Sequence, residues 1–345
     1  MALLEVRNLC VELQTHRGPA LAVRDVSFSL EPGETLGVIG ESGCGKSITA
    51  MAIMGLLPEN ARVTGSILFD GQELVGRSER DMCRLRGDRI GMIFQEPMTA
   101  LNPVHTVGDQ VAEPLRLHRG LSAAQARQEA IALLDRVGIP DAARRIDAYP
   151  HQFSGGQRQR VTIAMALACG PDLLIADEPT TALDVTIQRQ ILDLIRDLVA
   201  ERRMGLILIS HDLGVIAQNV QRMLVMYGGA VVESGPTTAV FGNRMHPYSL
   251  GLFAARPNLR TAKGQRLATI PGTVPELADL PQGCPFAGRC GFTIAECHRV
   301  FPPPYEVGVE HRARCIRLDA VAEFKEGAAR ALTPALSQGE REQQP

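Results

Sequence analysis

One eight-residue segment restricts the fold of this chain more than any other. Residues 40–47 read GESGCGKS, which fits the pattern G-x-x-x-x-G-K-[S/T], between an apolar run (ETLGVI, 34–39) and a helix-like run (SITAMAIMGLL, 47–57). A glycine loop in that context turns backbone N–H groups inward around phosphates, and the helix N-terminus adds positive potential. The segment predicts a phosphate-binding strand–loop–helix unit, with a chance glycine turn as the alternative.

Two side chains in this loop carry the expected chemistry. Lys46 would neutralise β/γ-phosphate charge, and the Ser47 hydroxyl would bind Mg²⁺. Cys44 adds a thiol whose oxidation would block the site, although a small tolerated residue is the simpler account. The residues expected to hold ATP here are Gly40, Ser42, Gly43, Cys44, Gly45, Lys46 and Ser47.

Paired carboxylates follow the second apolar run. Asp177 and Glu178 come directly after LLIA (173–176), which places them at the C-terminal edge of a parallel sheet, where α/β proteins bind ligands. Asp177 would act on Mg²⁺, and Glu178 would orient and deprotonate the attacking water. The alternative is an ordinary helix start after a strand.

The order of residue patterns along the chain indicates an α/β fold. Short β-rich runs occupy about 1–69, helical spacing takes over at about 97–170, and the apolar runs LLIAD and GLILIS flank a helical stretch. Buried runs alternating with helices are typical of a parallel sheet covered on both faces. Beyond about 250 the chain becomes rich in Pro, Gly and Cys, which predicts a small extension at 251–325 and a disordered tail at 326–345.

Bulk properties exclude several functions. A formal net charge of −2 and a sequence pI near 6.5 provide no basic field, so we expect no nucleic-acid partner. Apolar runs fall far short of the ~20 residues that cross a bilayer. The first residues, MALLEVRNLCVELQ, lack a basic region followed by an apolar core, so we expect no export signal and cytoplasmic residence.

The segment Phe153-Ser154-Gly155-Gly156-Gln157 narrows the type of ATPase. It resembles the signature of ABC (ATP-binding cassette) proteins, and Ser154 is suited to cap the helix that follows. A plain serine-capped helix is the alternative. In the ABC family this segment faces the nucleotide of a second subunit, so the resemblance implies that Ser154, Gly155, Gly156 and Gln157 bind ATP in trans and that one chain alone is a poor ATPase.

Further motifs of the ABC family follow in order. Gln95 in MIFQEP resembles the Q-loop, Ala182-Leu183-Asp184 the D-loop, and His211 in ISHDL the switch histidine. The resemblance implies that Gln95 joins Ser47 and Asp177 around Mg²⁺, that His211 reaches the γ-phosphate, and that Asp184 belongs to the nucleotide site. It also implies that EPMTALNP contacts the permease. A structural histidine at a strand end is the alternative for His211.

Several segments, including YPHQFSGGQRQR, IADEPTTALDVTIQ, HPYSLGL and CPFAGRC, resemble the D-type ATP-binding subunits of oligopeptide and dipeptide importers. The resemblance covers almost the whole chain and implies a peripheral motor on the cytoplasmic face of the inner membrane. Its partners would be a second ATPase subunit, homologous or identical, two permease subunits and, indirectly, an extracytoplasmic solute-binding protein. Alternatives are an importer of nickel or another small solute, a soluble ABC ATPase of DNA repair or translation, and a metal sensor that binds ATP.

The adenine-stacking aromatic residue of the family is not evident in QTHRG (14–18), which leaves His16 and Arg17 as candidates. The four late cysteines, Cys284, Cys290, Cys297 and Cys315, are separated by five, six and seventeen residues. Four thiolates suit a [4Fe–4S] cluster or structural Zn²⁺ by ligand type, and plain reduced thiols are the third alternative. The resemblance implies the iron–sulfur cluster, in a structural or regulatory role.

Overall fold

The computed structural model describes residues 2–96, 100–181, 183–255 and 269–327. Within these residues, twelve strands form two sheets; they are β1 Leu4–Thr15, β2 Gly18–Leu30, β3 Thr35–Ile39, β4 Arg62–Phe69, β5 Gln72–Glu73, β6 Ile90–Ile93, β7 Leu173–Asp177, β8 Gly205–Ser210, β9 Arg222–Tyr227, β10 Ala230–Pro236, β11 Tyr305–Gly308 and β12 His311–Ala313. Helices connect most of them; they are α1 Lys46–Met54, α2 Glu79–Leu85, α3 Val107–Arg119, α4 Ala123–Arg136, α5 Ala142–Arg145, α6 Gly155–Leu167, α7 Val185–Arg202, α8 Leu213–Asn219, α9 Thr237–Gly242, α10 Pro247–Ala254 and α11 at 318–327.

The expected β-rich N-terminal part forms an antiparallel sheet of order β2-β1-β4-β5. Strands β1 and β2 make a hairpin that closes at the Thr15–Gly18 pair. Their inward side chains, such as Val6 and Val26, are fully buried, as an antiparallel sheet with one solvated face requires.

The main sheet has eight strands in the order β11-β12-β10-β9-β3-β8-β7-β6. The five strands from β9 to β6 are parallel, as the apolar runs predicted, while β10, β12 and β11 continue the sheet antiparallel. In β7, Leu173 and Ile175 pack into one hydrophobic core, and Leu174 and Ala176 pack into the other. Both faces of the strand are therefore covered, which explains its uninterrupted apolar sequence.

The carboxyl ends of the parallel strands meet at one edge of the sheet. Ile39 at the end of β3 lies opposite Ser210 of β8, and Ile209 of β8 lies opposite Asp177 of β7. The segments that leave these strands start with residues of the phosphate-binding loop, Glu178 and His211. Parallel register alone thus brings three of the predicted motifs to the same edge.

The helical segment predicted at about 97–170 contains α3 to α6. Ser122 caps α4 in a capping box with Gln125, and Thr106 caps α3 by accepting the N–H of Asp109. Gly108 allows α3 to approach Ile146, because a Cβ atom there would lie 2.2 Å from the Ile146 Cγ1 atom. The segment packs on the core of the main sheet through residues such as Val161.

The cysteine-rich extension joins the main sheet. In its described residues, β12 pairs with β10 through Glu233 and Ala313, and β11 pairs with β12. The strands of the small extension predicted at 251–325 lengthen the main sheet. Of the tail predicted as disordered, residues 326–327 are helical and 328–345 lie outside the described residues. Among the described helices, none combines the length and apolar character needed to span a membrane.

Candidate functional site

The start of α1 has the features of a phosphate-binding helix terminus. Its N-cap residue, Gly45, has φ 100° and offers no side chain, and the first turn contains no acidic residue. No capping side chain accepts hydrogen bonds from the terminal N–H groups, so these groups can bind an anion. Lys46 is buried, and its Nζ atom donates to the carbonyl oxygens of Gly40 at 2.8 Å and Glu41 at 3.2 Å.

Two glycines of the loop are required by close packing. A Cβ atom on Gly40 would lie 2.1 Å from the carbonyl oxygen of Met226, and one on Gly45 would lie 2.7 Å from that of Ala22. The loop therefore packs against Ala22 within β2 and Met226 near the end of β9.

Asp177 has the environment expected of a Mg²⁺ ligand. Asp177 is only 4% exposed, and its Oδ1 atom is buried without a hydrogen-bond partner among the described residues. Burial raises the pKa of Asp177, as does Glu178, while a hydrogen bond with Ser47 and the charge of Lys46 oppose the rise. A buried carboxylate oxygen left unsatisfied beside a serine hydroxyl fits a hard cation such as Mg²⁺.

Glu178, His211 and Gln95 meet at the edge of the sheet. The Oε2 atom of Glu178 lies 3.1 Å from Nδ1 of His211 and accepts a long hydrogen bond of 3.5 Å from the Gln95 amide. Thr181 donates to the same oxygen at 2.9 Å. The Glu178 side chain is 15% exposed and that of His211 is 67% exposed, so the carboxylate is anchored on the protein side and reachable from solvent.

The sequence interpretation missed Thr181. Its signal is present in the segment EPTTALD, where a hydroxyl three residues after Glu178 can return to that carboxylate within one turn. Thr181 accounts for one lone pair of the Oε2 atom. It therefore helps to set the direction in which the carboxylate points.

The ABC-like signature packs against α7, the helix that follows the D-loop segment. Ser154 accepts the N–H of Gln157, whose side chain returns to the Ser154 N–H, so the predicted cap is a complete capping box. A Cβ atom on Gly156 would lie 2.8 Å from Cγ2 of Ile187 in α7, so only glycine allows this approach. Asp184 caps α7 by accepting the N–H groups of Thr186 and Ile187. Ala182 lies outside the described residues.

The two candidates for adenine stacking differ in their surroundings. Arg17 forms a bidentate ion pair with Asp279, at 2.8 and 2.7 Å, and also contacts Glu276. Its guanidinium is held by the extension, whereas His16 is exposed. Arg17 is therefore already paired with the extension, and both residues stay candidates for adenine stacking.

The four late cysteines converge on one cavity, which His246, Phe286 and Arg317 also line. Burial raises the pKa of Cys284 to about 12 and that of Cys315 to about 11, and the neighbouring thiols contribute to both rises. Across the described residues, however, no three His, Cys, Asp or Glu side chains are arranged to hold a single metal ion. The thiols are thus gathered, without the geometry of a mononuclear site.

Comparison with protein families gives two matches. A model described as ABC transporter matches residues 23–181, and one described as oligopeptide/dipeptide transporter, C-terminal region, matches residues 232–297. The first match covers the phosphate-binding loop, the signature segment and Glu178. The second begins within β10 and includes Cys284, Cys290 and Cys297.

Individual relatives match nearly the full chain. A protein of Brucella melitensis named as a peptide import ATP-binding protein is 52% identical over 93% of this chain and 98% of its own length. The oligopeptide transport ATP-binding protein OppD of Salmonella typhimurium is 50% identical over 90% of this chain and 92% of its own. The dipeptide transport ATP-binding protein DppD of Bacillus subtilis is 50% identical over 93% and 96%.

Solved structures show the same fold. A dimeric ATP-binding cassette in a post-hydrolysis state, bound to ADP and Pi, is 28% identical and covers 68% of this chain and 98% of its own, with a TM-score of 0.62. A subunit of an ABC transporter complex from Clostridium perfringens has a TM-score of 0.59, 28% identity, and coverage of 70% and 92%.

Proposed function

This chain belongs to the ABC transporter family, as a peptide-import ATP-binding subunit, and from that premise we propose how its residues hydrolyse ATP and energise a peptide importer. The observation that carries the proposal is the meeting of Glu178, His211 and the phosphate-binding loop at one edge of the sheet. A solvent-accessible carboxylate at the same sheet edge as a loop with a buried lysine, Lys46, suits water attack on a bound polyphosphate.

In the proposed reaction, the oxygen of the attacking water bonds to the γ-phosphorus while Glu178 accepts a proton from that water. The bond to the β–γ bridging oxygen breaks, and ADP leaves with that electron pair. His211 holds the Glu178 carboxylate and contacts the γ-phosphate, and Lys46 neutralises phosphate charge. Bound Mg²⁺ supplies further charge neutralisation, and Ser47, Asp177 and Gln95 are the residues that would hold it.

We further propose that two cassettes close around ATP, with the Ser154–Gln157 segment of one facing the loop of the other. The side chains of this segment make local contacts within the capping box, and Ser154 and Gly155 are exposed. The α6 N-terminus therefore presents N–H groups to a partner. The dimeric form of the cassette similar to this chain agrees with such an arrangement.

Partner identity and location belong to the same proposal. We expect a homologous or identical second ATPase subunit and two permease subunits at the cytoplasmic face of the membrane, with the solute-binding protein acting through them. Closure and reopening of the cassettes would move the permease. No contact with nucleic acid is expected.

For the four late cysteines, a structural [4Fe–4S] cluster is the proposed occupant. Their common cavity and the four-thiol donor set support it. Iron, acid-labile sulfide and zinc are to be measured on anaerobically purified protein and on Cys290→Ser. We expect iron and sulfide in the first sample and their loss in the second; absence of all three from the first would refute the cluster.

Transport is tested by uptake of labelled dipeptides, longer peptides and nickel in cells lacking the gene. Wild type should restore peptide uptake, Glu178→Gln should not, and Glu59→Gln, which changes an exposed carboxylate, should behave as wild type. Rescue of nickel uptake alone would leave the motor assignment intact and refute the peptide cargo. Rescue by Glu178→Gln would refute the assigned mechanism.

A further inference from the structure

An arginine of the extension is bound to the phosphate-binding loop. Arg289 ends a short turn at 287–289, directly before Cys290. Its Nη1 and Nη2 atoms donate to the Glu41 carboxylate at 2.6 and 3.3 Å, and Glu41 is the second residue of the loop. The two residues are 248 positions apart in sequence, so only the fold brings them together.

The guanidinium of Arg289 is fixed from several sides. It donates to the carbonyl oxygen of Pro271 at 2.8 Å, to those of Ile270 and Gly272 at 3.4 Å, and to the Tyr227 hydroxyl at 3.3 Å. Its side chain is 7% exposed, compared with 27% for Glu41. Because the guanidinium has little freedom, it can hold the loop at a defined place.

A second contact holds the backbone of the same loop residue. The N–H of Glu41 donates to the Tyr248 hydroxyl at 2.9 Å. Tyr248 packs against Tyr227 and Phe286, with ring centroids 4.7 and 5.4 Å away, and Phe286 lines the cysteine cavity. A continuous packed path therefore leads from the cysteines to the loop.

Glu41 itself needs a physical explanation, because a carboxylate in an anion-binding loop repels the polyphosphate. Its carbonyl oxygen also accepts from Lys46, so any shift of Glu41 moves the partner of the phosphate-binding lysine. Pairing with a buried arginine cancels the negative charge and fixes the residue at once. Without that arginine, both effects are lost together.

We propose that Arg289 is a positioning residue of the nucleotide site: by neutralising and holding Glu41, it makes the cysteine-rich extension part of the ATP-binding apparatus. The inference rests on the proposed binding of ATP at the loop. It goes further in assigning the extension a role in nucleotide affinity.

The test measures the Kd for Mg·ATP on the full-length chain, with the thermal midpoint taken without nucleotide. Arg289→Ala should raise the Kd about tenfold, equal to ~1.4 kcal/mol, and the effect should shrink at high salt. Adding Glu41→Gln to Arg289→Ala should return the Kd to within about threefold of wild type, since the unpaired charge is gone. Arg312→Ala, which breaks an exposed pair with Glu306 in the extension, is the control and should bind as wild type.

A conservative variant covers the case in which Arg289→Ala does not fold. Arg289→Lys keeps the charge but loses the two-pronged contact, so its Kd should rise about threefold. Wild-type Kd values in a folded Arg289→Ala or Arg289→Lys variant would overturn the inference. So would a loss of affinity that Glu41→Gln leaves unchanged, because a purely structural role predicts that result. Failure of the wild-type chain to bind ATP would instead refute the proposed function.

Discussion

At Glu178 the chain accepts a backbone conformation that a glutamate seldom adopts. Its φ of 47° lies in the left-handed region, which costs an L residue about 1 kcal/mol or more. The N–H of Glu178 donates to the Ile209 carbonyl oxygen at 3.0 Å, and Thr181 and His211 hold the side chain. These contacts stabilise the strained turn and hold the carboxylate at the edge of the sheet where the parallel strands end.

Replacing Glu178 with glutamine is expected to slow ATP hydrolysis without weakening ATP binding. The amide keeps the shape and the contact with Thr181 but cannot accept a proton, so kcat should fall by about 10²–10⁴ while the Kd for ATP changes little. ATPase assays on the assembled transporter and nucleotide titration of the chain measure the two effects. Turnover at the wild-type rate would contradict the role of Glu178.

The Cys44 thiol is expected to react slowly with alkylating reagents. Burial raises the pKa of this thiol above its usual value, although Lys46 opposes the rise, and the residue is 1% exposed. A raised pKa moves thiolate formation to higher pH, so Cys44 should be protonated and unreactive at pH 7. A hydrogen bond with Glu79 also raises the pKa of Cys83, but Cys83 is exposed and Cys44 is buried. Mass spectrometry after N-ethylmaleimide treatment should therefore show Cys83 modified at least about tenfold faster than Cys44, with ATP binding unchanged. Rapid labelling of Cys44 with loss of ATP binding would instead support a redox role.

At the scale of elements, strand β10 anchors the extension through one buried carboxylate. Glu233 accepts the N–H groups of Met245 and His246 and pairs with His311 of β12 at 2.8 Å. Both side chains of the pair are at most 2% exposed. One residue thus joins β10, the start of α10 and the last strand of the extension.

Glu233→Ala is therefore expected to be strongly destabilising. It leaves two N–H groups and the His311 ring without their buried acceptor, which costs about 3–5 kcal/mol in the free energy of unfolding. Urea unfolding measures the loss, and limited proteolysis should show earlier cleavage within the extension. Glu306→Ala, at an exposed ion pair in β11, is the matched control and should change stability by less than ~1 kcal/mol. Equal stability of the two variants would contradict the anchoring role.

At the scale of the whole molecule, the groups expected to contact ATP lie on two separate parts. The phosphate-binding loop and Glu178 belong to the main sheet, while Ser154 starts α6 in the helical segment. The proposed trans arrangement makes nucleotide binding and association of two cassettes the same event. Affinity between chains should then depend on ATP.

This coupling gives the whole-molecule prediction. The Glu178→Gln chain should be monomeric without nucleotide and dimeric with Mg·ATP in light scattering after gel filtration. Adding Ser154→Arg should abolish the dimer, because the long cation occupies the surface facing the partner's nucleotide. Ser122→Arg removes an equivalent capping-box serine from α4 and should leave the dimer intact. If the partner cassette is a homologous chain, dimers are expected only when that chain is added. With the required partner present, dimers of both arginine variants, or of neither, would show that the interface is placed wrongly.

The nucleotide-site motifs and the strands that precede them could be predicted from local sequence patterns. The loop 40–47, the pair Asp177–Glu178 and the capping-box serine Ser154 are local patterns, in which each residue type meets a demand of its own neighbours. Apolar runs such as LLIAD record burial on both faces, so the parallel sheet and the edge where the motifs gather could be predicted.

Contacts between distant segments could not be predicted from the sequence and depend on how the chain packs. The Arg289–Glu41 pair, the docking of β12 on β10 and the gathering of four widely spaced cysteines leave no periodic trace in the sequence. The sequence does not distinguish an arginine that is nearly buried against a distant carboxylate from one that is exposed to water. The role of the arginine depends on which surfaces pack together, because packing removes the solvent that would otherwise screen its charge.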